Sequence, residues 1–117
     1  MRRSIRALAA LGAFACAVAV GLGAYAMHAA VSPHDHERVA IAAIFLFGHG
    51  LALAALAPRA GTRVQCIGLY VLLAGTILFS GSLVCAAVFG IEPRLAPAGG
   101  TASILGWLLV AAGFVPG

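Results

Sequence analysis

The stretch that decides the fold is residues 64–90, VQCIGLYVLLAGTILFSGSLVCAAVFG, an apolar run without one charged side chain. A helix needs about 20 predominantly apolar residues to cross the hydrocarbon core of a bilayer. Strands of a membrane β-barrel would instead alternate apolar and polar residues, and this run does not alternate. We therefore predict that it forms a transmembrane helix.

The rest of the chain has the same apolar character. Of its 117 residues, 63% are hydrophobic and 9% are charged, and there is no lysine. A soluble domain carries about 25% charged residues, so this chain lacks the polar material to cover a water-facing surface. The net charge of +4 does not indicate nucleic acid, because the arginines sit at the ends of the apolar runs. The composition predicts an integral membrane protein whose partner is the lipid bilayer.

Three further apolar runs complete the architecture. The last of them is short for a span, about 15 to 17 residues, but Gly99 and Gly100 extend it, and local thinning of the bilayer would accommodate it. We predict an all-α membrane protein in which residues 1–117 form a single four-transmembrane-helix bundle. The expected helices span about residues 4–28, 36–57, 63–90 and 100–115.

Turn signals between the runs support these boundaries. Ser32 is expected to cap the second helix, with Asp35 three residues on as a weak capping box. Pro58 fits the end of that helix. The stretch PAGG, residues 97–100, is typical of a turn before the fourth helix.

The arginines predict the orientation in the membrane. With the N-terminus in the cytoplasm, five arginines lie on the cytoplasmic side, and only Arg38 and Arg94 lie on the other side. This excess of positive charge favours an N-in, C-in topology. Residues 1–26 also resemble a signal peptide, but their apolar stretch exceeds the usual 7 to 15 residues. We expect the first helix to be retained.

Small side chains are expected to bring the helices together. In lipid there is little hydrophobic drive between helices, so close packing at small residues holds them. Stripes with helical spacing occur on all four runs. The expected contact positions are Ala9, Ala13, Ala17, Gly21, Gly48, Ala52, Gly68, Gly75, Ala102, Gly106 and Gly113.

One histidine, His49, falls inside the second run. It lies about 18 Å from Glu37 and about 12 Å from Ala57 along a helix, which places it near the membrane midplane. A charge at that depth costs about 2.5–3.5 kcal/mol, so we expect a neutral ring that needs a hydrogen-bond partner. Thr76 on the third helix is the nearest hydroxyl, and we predict a contact between His49 and Thr76, direct or through water.

Two functions are open to this histidine. His49 could titrate in a path for protons or solutes, or it could form a satisfied hydrogen bond between helices. A proton path usually needs a chain of ionisable groups, and no Asp, Glu, Lys or Arg lies at this depth. The pattern therefore favours the interhelical hydrogen bond.

The other polar residues do not form a recognisable site. His28, His34 and His36 lie close together in sequence, but their spacing matches no standard metal site. We expect a solvated loop there, with His28 at the outer end of the first helix, and neither a metal nor a cofactor. Ser80 and Ser82 have no base in their sequence context, so we expect hydroxyls bonded to their own helix and no catalytic residue. Tyr25 and Trp107 are expected to be aromatic anchors in the outer half of the membrane.

Five short motifs resemble a known family. GAYAMHA, HGLAL, FSGSL, APAGG and GW stand in the order and spacing of the family of small inner-membrane proteins called domain of unknown function 423. The resemblance covers nearly the whole chain and implies a four-helix bundle in the bacterial inner membrane, with no established activity. It marks the histidines, serines and glycines of these motifs as the positions to watch: His28, His49, Ser80, Ser82, Gly99 and Gly100.

This chain departs from the family pattern near its histidine. A Tyr-Gln pair often precedes the helix-two histidine, whereas Phe45 and Leu46 stand here, and Val84 replaces a tyrosine. These changes remove polar partners for a proton relay. We therefore expect a structural or accessory membrane protein, not an enzyme, that binds a membrane-protein partner or forms a homo-oligomer. The alternative is a proton, ion or small-solute carrier using His49.

Overall fold

The computed structural model describes residues 2–29 and 32–116 and contains four α-helices in that part of the chain. Each helix is long and apolar enough to cross a membrane, which confirms the predicted fold class. A short 3-10 turn, Ala57–Arg59, follows the second helix. The α-helices are α1 (Arg2–His28), α2 (Pro33–Leu56), α3 (Arg63–Phe89) and α4 (Ala96–Gly113).

Local caps explain where α2 and α3 begin. The Ser32 hydroxyl accepts a hydrogen bond from the Asp35 amide, and Pro33 occupies the first turn, so α2 starts at Pro33 instead of the expected residue 36. Thr62 and Gln65 form a reciprocal capping box at the start of α3, which satisfies backbone amides that the helix leaves unpaired. Gly90 ends α3 in the left-handed conformation, with φ of 68°.

The start of α4 differs from the prediction. PAGG is part of the helix and not a turn before it, because α4 begins at Ala96 and the Gly99 amide bonds to the Leu95 carbonyl. Pro97 is compatible with this position, since a proline in the first turn gives up an amide that has no partner there. The helix ends at Gly113, two residues before the expected end.

The helices pack in chain order, as two hairpins side by side. α1 packs on α2, α3 packs on α4, and the hairpins meet where α2 contacts α3. α1 and α4 are not packed against each other. A buried cluster draws on all four helices at the end where α1 begins and α4 finishes; its members are Leu8, Leu53, Ala57, Leu69, Leu72 and Val110.

Close approaches at glycine hold each hairpin together. A Cβ built on Gly12 would lie 2.6 Å from the Gly50 carbonyl oxygen, and one on Gly68 would lie 2.9 Å from the Gly106 carbonyl oxygen. No side chain fits at such distances. These backbones therefore touch directly, as the small-residue argument predicted for Gly68 and Gly106.

The predicted stripe on α1 is wrong, as is its counterpart at Gly48. Ala13, Ala17 and Gly21 are exposed, and a Cβ on Gly21 or Gly48 would meet nothing within 4 Å. The face that meets α2 instead carries Gly12. Small residues occur on several faces of α1, so their spacing alone could not identify the packed one.

Candidate functional site around His49

Both ring nitrogens of His49 are hydrogen bonded. Nδ1 lies 2.9 Å from the Phe45 carbonyl oxygen one turn earlier on α2. Nε2 lies 3.0 Å from Nε1 of Trp107 on α4. An indole nitrogen can only donate, so Nε2 accepts and carries no proton. The proton sits on Nδ1 and is donated to Phe45, which makes the ring neutral and fully satisfied.

Aromatic rings surround this histidine. The Phe45 ring stacks on the imidazole with 4.0 Å between centroids, and Phe79 of α3 lies 4.2 Å from Phe45. The Trp107 and His49 centroids are 5.8 Å apart. Three helices thus contribute to one cluster of rings. Phe45 stands where the family pattern has a polar side chain. Its ring covers one face of the imidazole, and only its backbone carbonyl bonds to a ring nitrogen.

The predicted contact between His49 and Thr76 is wrong. The Thr76 hydroxyl is buried and donates to the Leu72 carbonyl of its own helix at 2.7 Å. The depth count could place His49 along its helix axis, but it could not tell which neighbouring helix would supply the N–H. That donor comes from α4, 58 residues further along the chain, a separation for which sequence spacing carries no signal.

The structure does not place Trp107 at a helix end, where an aromatic anchor would stand. Trp107 lies eleven residues beyond the start of α4, about 16 Å along the helix axis and past its middle. Its indole is engaged with His49. Tyr25, by contrast, is exposed in the last turn of α1, which is where an aromatic anchor would stand.

Ser80 connects the two hairpins. Its hydroxyl donates to the Ala42 carbonyl oxygen of α2 at 3.1 Å, and the side chain is buried. The expectation that it bonds to its own helix is therefore wrong. Ser82 lies two residues on and faces a different side; it is half-buried and makes no side-chain hydrogen bond among the described residues.

The two glycines of the APAGG motif have different roles. Gly99 is buried against the backbone of α3 at Gly75 and Phe79. Gly100 is more open, since a Cβ there would come no closer than 3.9 Å to the Phe79 ring. Gly99 is thus a helix contact and not the turn residue that the sequence suggested.

The outer histidines are dispersed. His28 is the exposed last residue of α1, while His34 and His36 lie in the first turns of α2 and not in a loop. His36 Nδ1 lies 2.7 Å from the Ala26 carbonyl oxygen, so His36, and not His28, ties the two helices together here. Within residues 2–29 and 32–116, no group of three or more His, Cys, Asp or Glu side chains is arranged to hold a metal ion.

These features define a class of protein. Four apolar helices, glycine crossings and a neutral, satisfied histidine describe a small helical membrane protein organised by close packing. The chain belongs to the DUF423 family, described as proteins of unknown function, whose model matches residues 22–100. This confirms the resemblance that the motifs indicated.

A curated relative supports the assignment to the membrane. The chain is 32% identical over 111 residues to a UPF0382 membrane protein of Staphylococcus saprophyticus, a match that covers 88% of this chain and 92% of that protein. No solved structure matches the chain. The protein is thus a membrane protein of a family whose function is unknown.

Proposed function

We propose that the protein is a structural or accessory component of the bacterial inner membrane, without enzymatic activity. The supporting observation is the bonding of His49 on both ring nitrogens, to the Phe45 carbonyl and the Trp107 indole. Neither partner takes up a proton near neutral pH. His49 therefore acts as a fixed pin between α2 and α4.

The surroundings of His49 support the same role. All Asp, Glu and Arg residues of the chain lie near the ends of the spans or in the connections between them. A relay of protons needs successive groups that exchange them, and the neighbours of this ring are aromatic. In this proposal the protein binds another membrane protein or further copies of the same chain.

The location and orientation belong to the proposal as well. The relative comes from a bacterium and is a membrane protein, which supports the bacterial inner membrane as the site of action. The arginine distribution supports an N-in, C-in topology. Arg59 and Arg63 then lie in the cytoplasmic connection, beside the N-terminal arginines.

Proton flux into proteoliposomes tests the structural role. Vesicles holding the full chain and a trapped pH-sensitive dye are given a pH gradient, and the rate of collapse is compared with that of empty vesicles. We expect equal rates for the native protein, His49→Gln and empty vesicles. A faster collapse with the native protein that His49→Gln abolishes would replace the structural role with that of a carrier.

A further inference from the structure

The two hairpins repeat one pattern of close helix contacts. Gly68 follows Gly12 by 56 positions, and Gly106 follows Gly50 by the same interval. In both hairpins the first glycine meets the carbonyl oxygen of the second, at 2.6 and 2.9 Å from a built Cβ. The same interval therefore relates two close helix crossings of the same geometry.

Neighbouring contacts follow the same interval. The Cβ position of Gly12 lies 2.7 Å from the Ala54 amide nitrogen, and that of Gly68 lies 2.9 Å from the Val110 amide nitrogen, again 56 positions later. Gly50 faces the Cys16 side chain, and its equivalent faces the Leu72 side chain. At this interval LGAF at 11–14 aligns with IGLY at 67–70, which shares its glycine, and HGLALAALA at 49–57 aligns with LGWLLVAAG at 105–113, which shares three residues.

The contact between α2 and α3 joins the first hairpin to the second. On α3 the contact face carries Ser80, which donates to Ala42 of α2, and Thr76, which lines one cavity with Leu46 of α2; their exposures are 3 and 1%. On α2 it includes Ala42, which accepts from Ser80, and Phe45, which packs on Phe79 of α3. Because two different faces meet, this is a heterologous contact, the kind that can continue from unit to unit.

The same two faces are left open at the two ends of the molecule. The α1 positions that are equivalent to the α3 face are exposed, and Val20, the equivalent of Thr76, is 64% exposed. The α4 positions that are equivalent to Ala42 and Phe45 of the α2 face are Ala98 and Thr101, and both are exposed too. The two open faces carry Ala13, Ala17, Val20 and Ala24 on α1, and Ala98, Thr101, Leu105 and Ala112 on α4.

We propose that a second copy of this chain docks on these faces, with α4 of one copy packed on α1 of the next, as α2 packs on α3 within the chain. The faces suit each other chemically, because neither carries a charged side chain, and small residues on α1 allow close backbone approach. At the position of the Ser80–Ala42 contact, Ala24 would meet Ala98. Copies joined in this way add head to tail, whatever role the assembly serves.

Cross-linking in native membranes tests this assembly. The background is the full chain with Cys16, Cys66 and Cys85 replaced by alanine. Ala24→Cys is made in one such chain and Ala98→Cys in another. The two chains carry different tags and are co-expressed. A short bis-maleimide should join the two tags into one product. The matched control pairs Ala98→Cys with Tyr25→Cys, which is exposed at the same depth but lies about 100° further round the helix. We expect at least about ten-fold less product from this control, because thiols that point apart lie out of reach.

A blocking variant provides a second measurement. Val20→Trp, made in the same chain as Ala24→Cys, adds bulk one turn away on the same face, at a position that is 64% exposed, so it should leave the monomer folded while reducing head-to-tail product to the control level. Tyr25→Trp should leave the product unchanged. If the doubly tagged product is no greater than in the control, the proposal is overturned. This holds if a lipid-soluble maleimide modifies each cysteine singly, and also if the cysteines are joined to another protein.

Discussion

At the scale of single residues, the molecule uses its polar side chains to join helices. His49 joins α2 to α4 through Trp107, Ser80 joins α3 to α2, and His36 joins the ends of α1 and α2. An interhelical hydrogen bond in a membrane contributes about 0.6 kcal/mol on average and at most about 1.7 kcal/mol. Each of these side chains is therefore a modest contributor whose main effect is to select one arrangement of neighbours.

The His49–Trp107 bond predicts a measurable coupling. His49→Leu and Trp107→Phe should each lower the free energy of unfolding in mixed micelles, and a double-mutant cycle should give a coupling of about 0.5–1.7 kcal/mol. Trp107 is the only tryptophan, so Trp107→Phe removes the tryptophan fluorescence. Circular dichroism can follow the unfolding of all four proteins. His49→Gln keeps an acceptor for the indole and should lose less stability than His49→Leu. A coupling near zero would contradict the bond.

Ser80 and Ser82 predict unequal effects of the same substitution. Ser80→Ala removes the donor to Ala42 and should lower stability by about 0.5–1.5 kcal/mol. Ser82→Ala removes a hydroxyl that makes no bond among the described residues and should stay within about 0.5 kcal/mol of the native value. Unfolding in the same micelles measures both. Equal losses would mean that the two hydroxyls share one role.

At the scale of helices, the spans follow from the sequence but their packed faces do not. Long apolar runs bounded by Ser32, Thr62 and Gly90 identify α2 and α3, because length, caps and hydropathy are local properties. A helix in lipid is apolar all round, so the periodic stripe that marks the buried face of a soluble helix is missing. The small residues through Ala13 and Gly21 therefore mark only one of several candidate faces on α1. The partners of His49 and Ser80 were missed for the same reason, because the sequence does not show which face of each helix is packed.

Glycine substitutions distinguish the packed face of α1 from the open one. Gly12→Ala would place a Cβ 2.6 Å from the Gly50 carbonyl oxygen, and forcing the helices apart should cost about 1–3 kcal/mol. Gly21→Ala meets nothing within 4 Å and should be neutral or stabilising by up to about 1 kcal/mol, since glycine is a poor helix residue. Thermal aggregation in detergent compares the two. If Gly21→Ala is the more damaging variant, the assigned face is wrong.

At the scale of the whole molecule, the chain is a series of helices in which each packs on the next. α1 and α4 end the series, so in residues 2–29 and 32–116 the helices leave two open sides and form no sealed ring around a central pore. The five arginines Arg2, Arg3, Arg6, Arg59 and Arg63 lie towards the ends of α1, α2 and α3 that share one side of the membrane in this topology. In the proposed topology, the charge asymmetry between the two sides orients the molecule.

Reporter fusions test the orientation. Green fluorescent protein fused to the C-terminus should fluoresce, and alkaline phosphatase at the same place should be inactive, because the excess of arginine keeps that end in the cytoplasm. Phosphatase inserted beside Glu92, in the connection between α3 and α4, should be active. An active phosphatase at the C-terminus would contradict the N-in, C-in topology.

The order of packing also has a consequence in time. Because each helix rests on its predecessor, α1, α2 and α3 can settle in turn while the ribosome is still adding residues. The exception is His49, whose indole partner lies 58 residues downstream, about 3–12 seconds later at 5–20 residues per second. The Trp107 bond can therefore close only after α4 has been made. In a nascent chain it distinguishes a molecule that has all four helices from one that has only the first three.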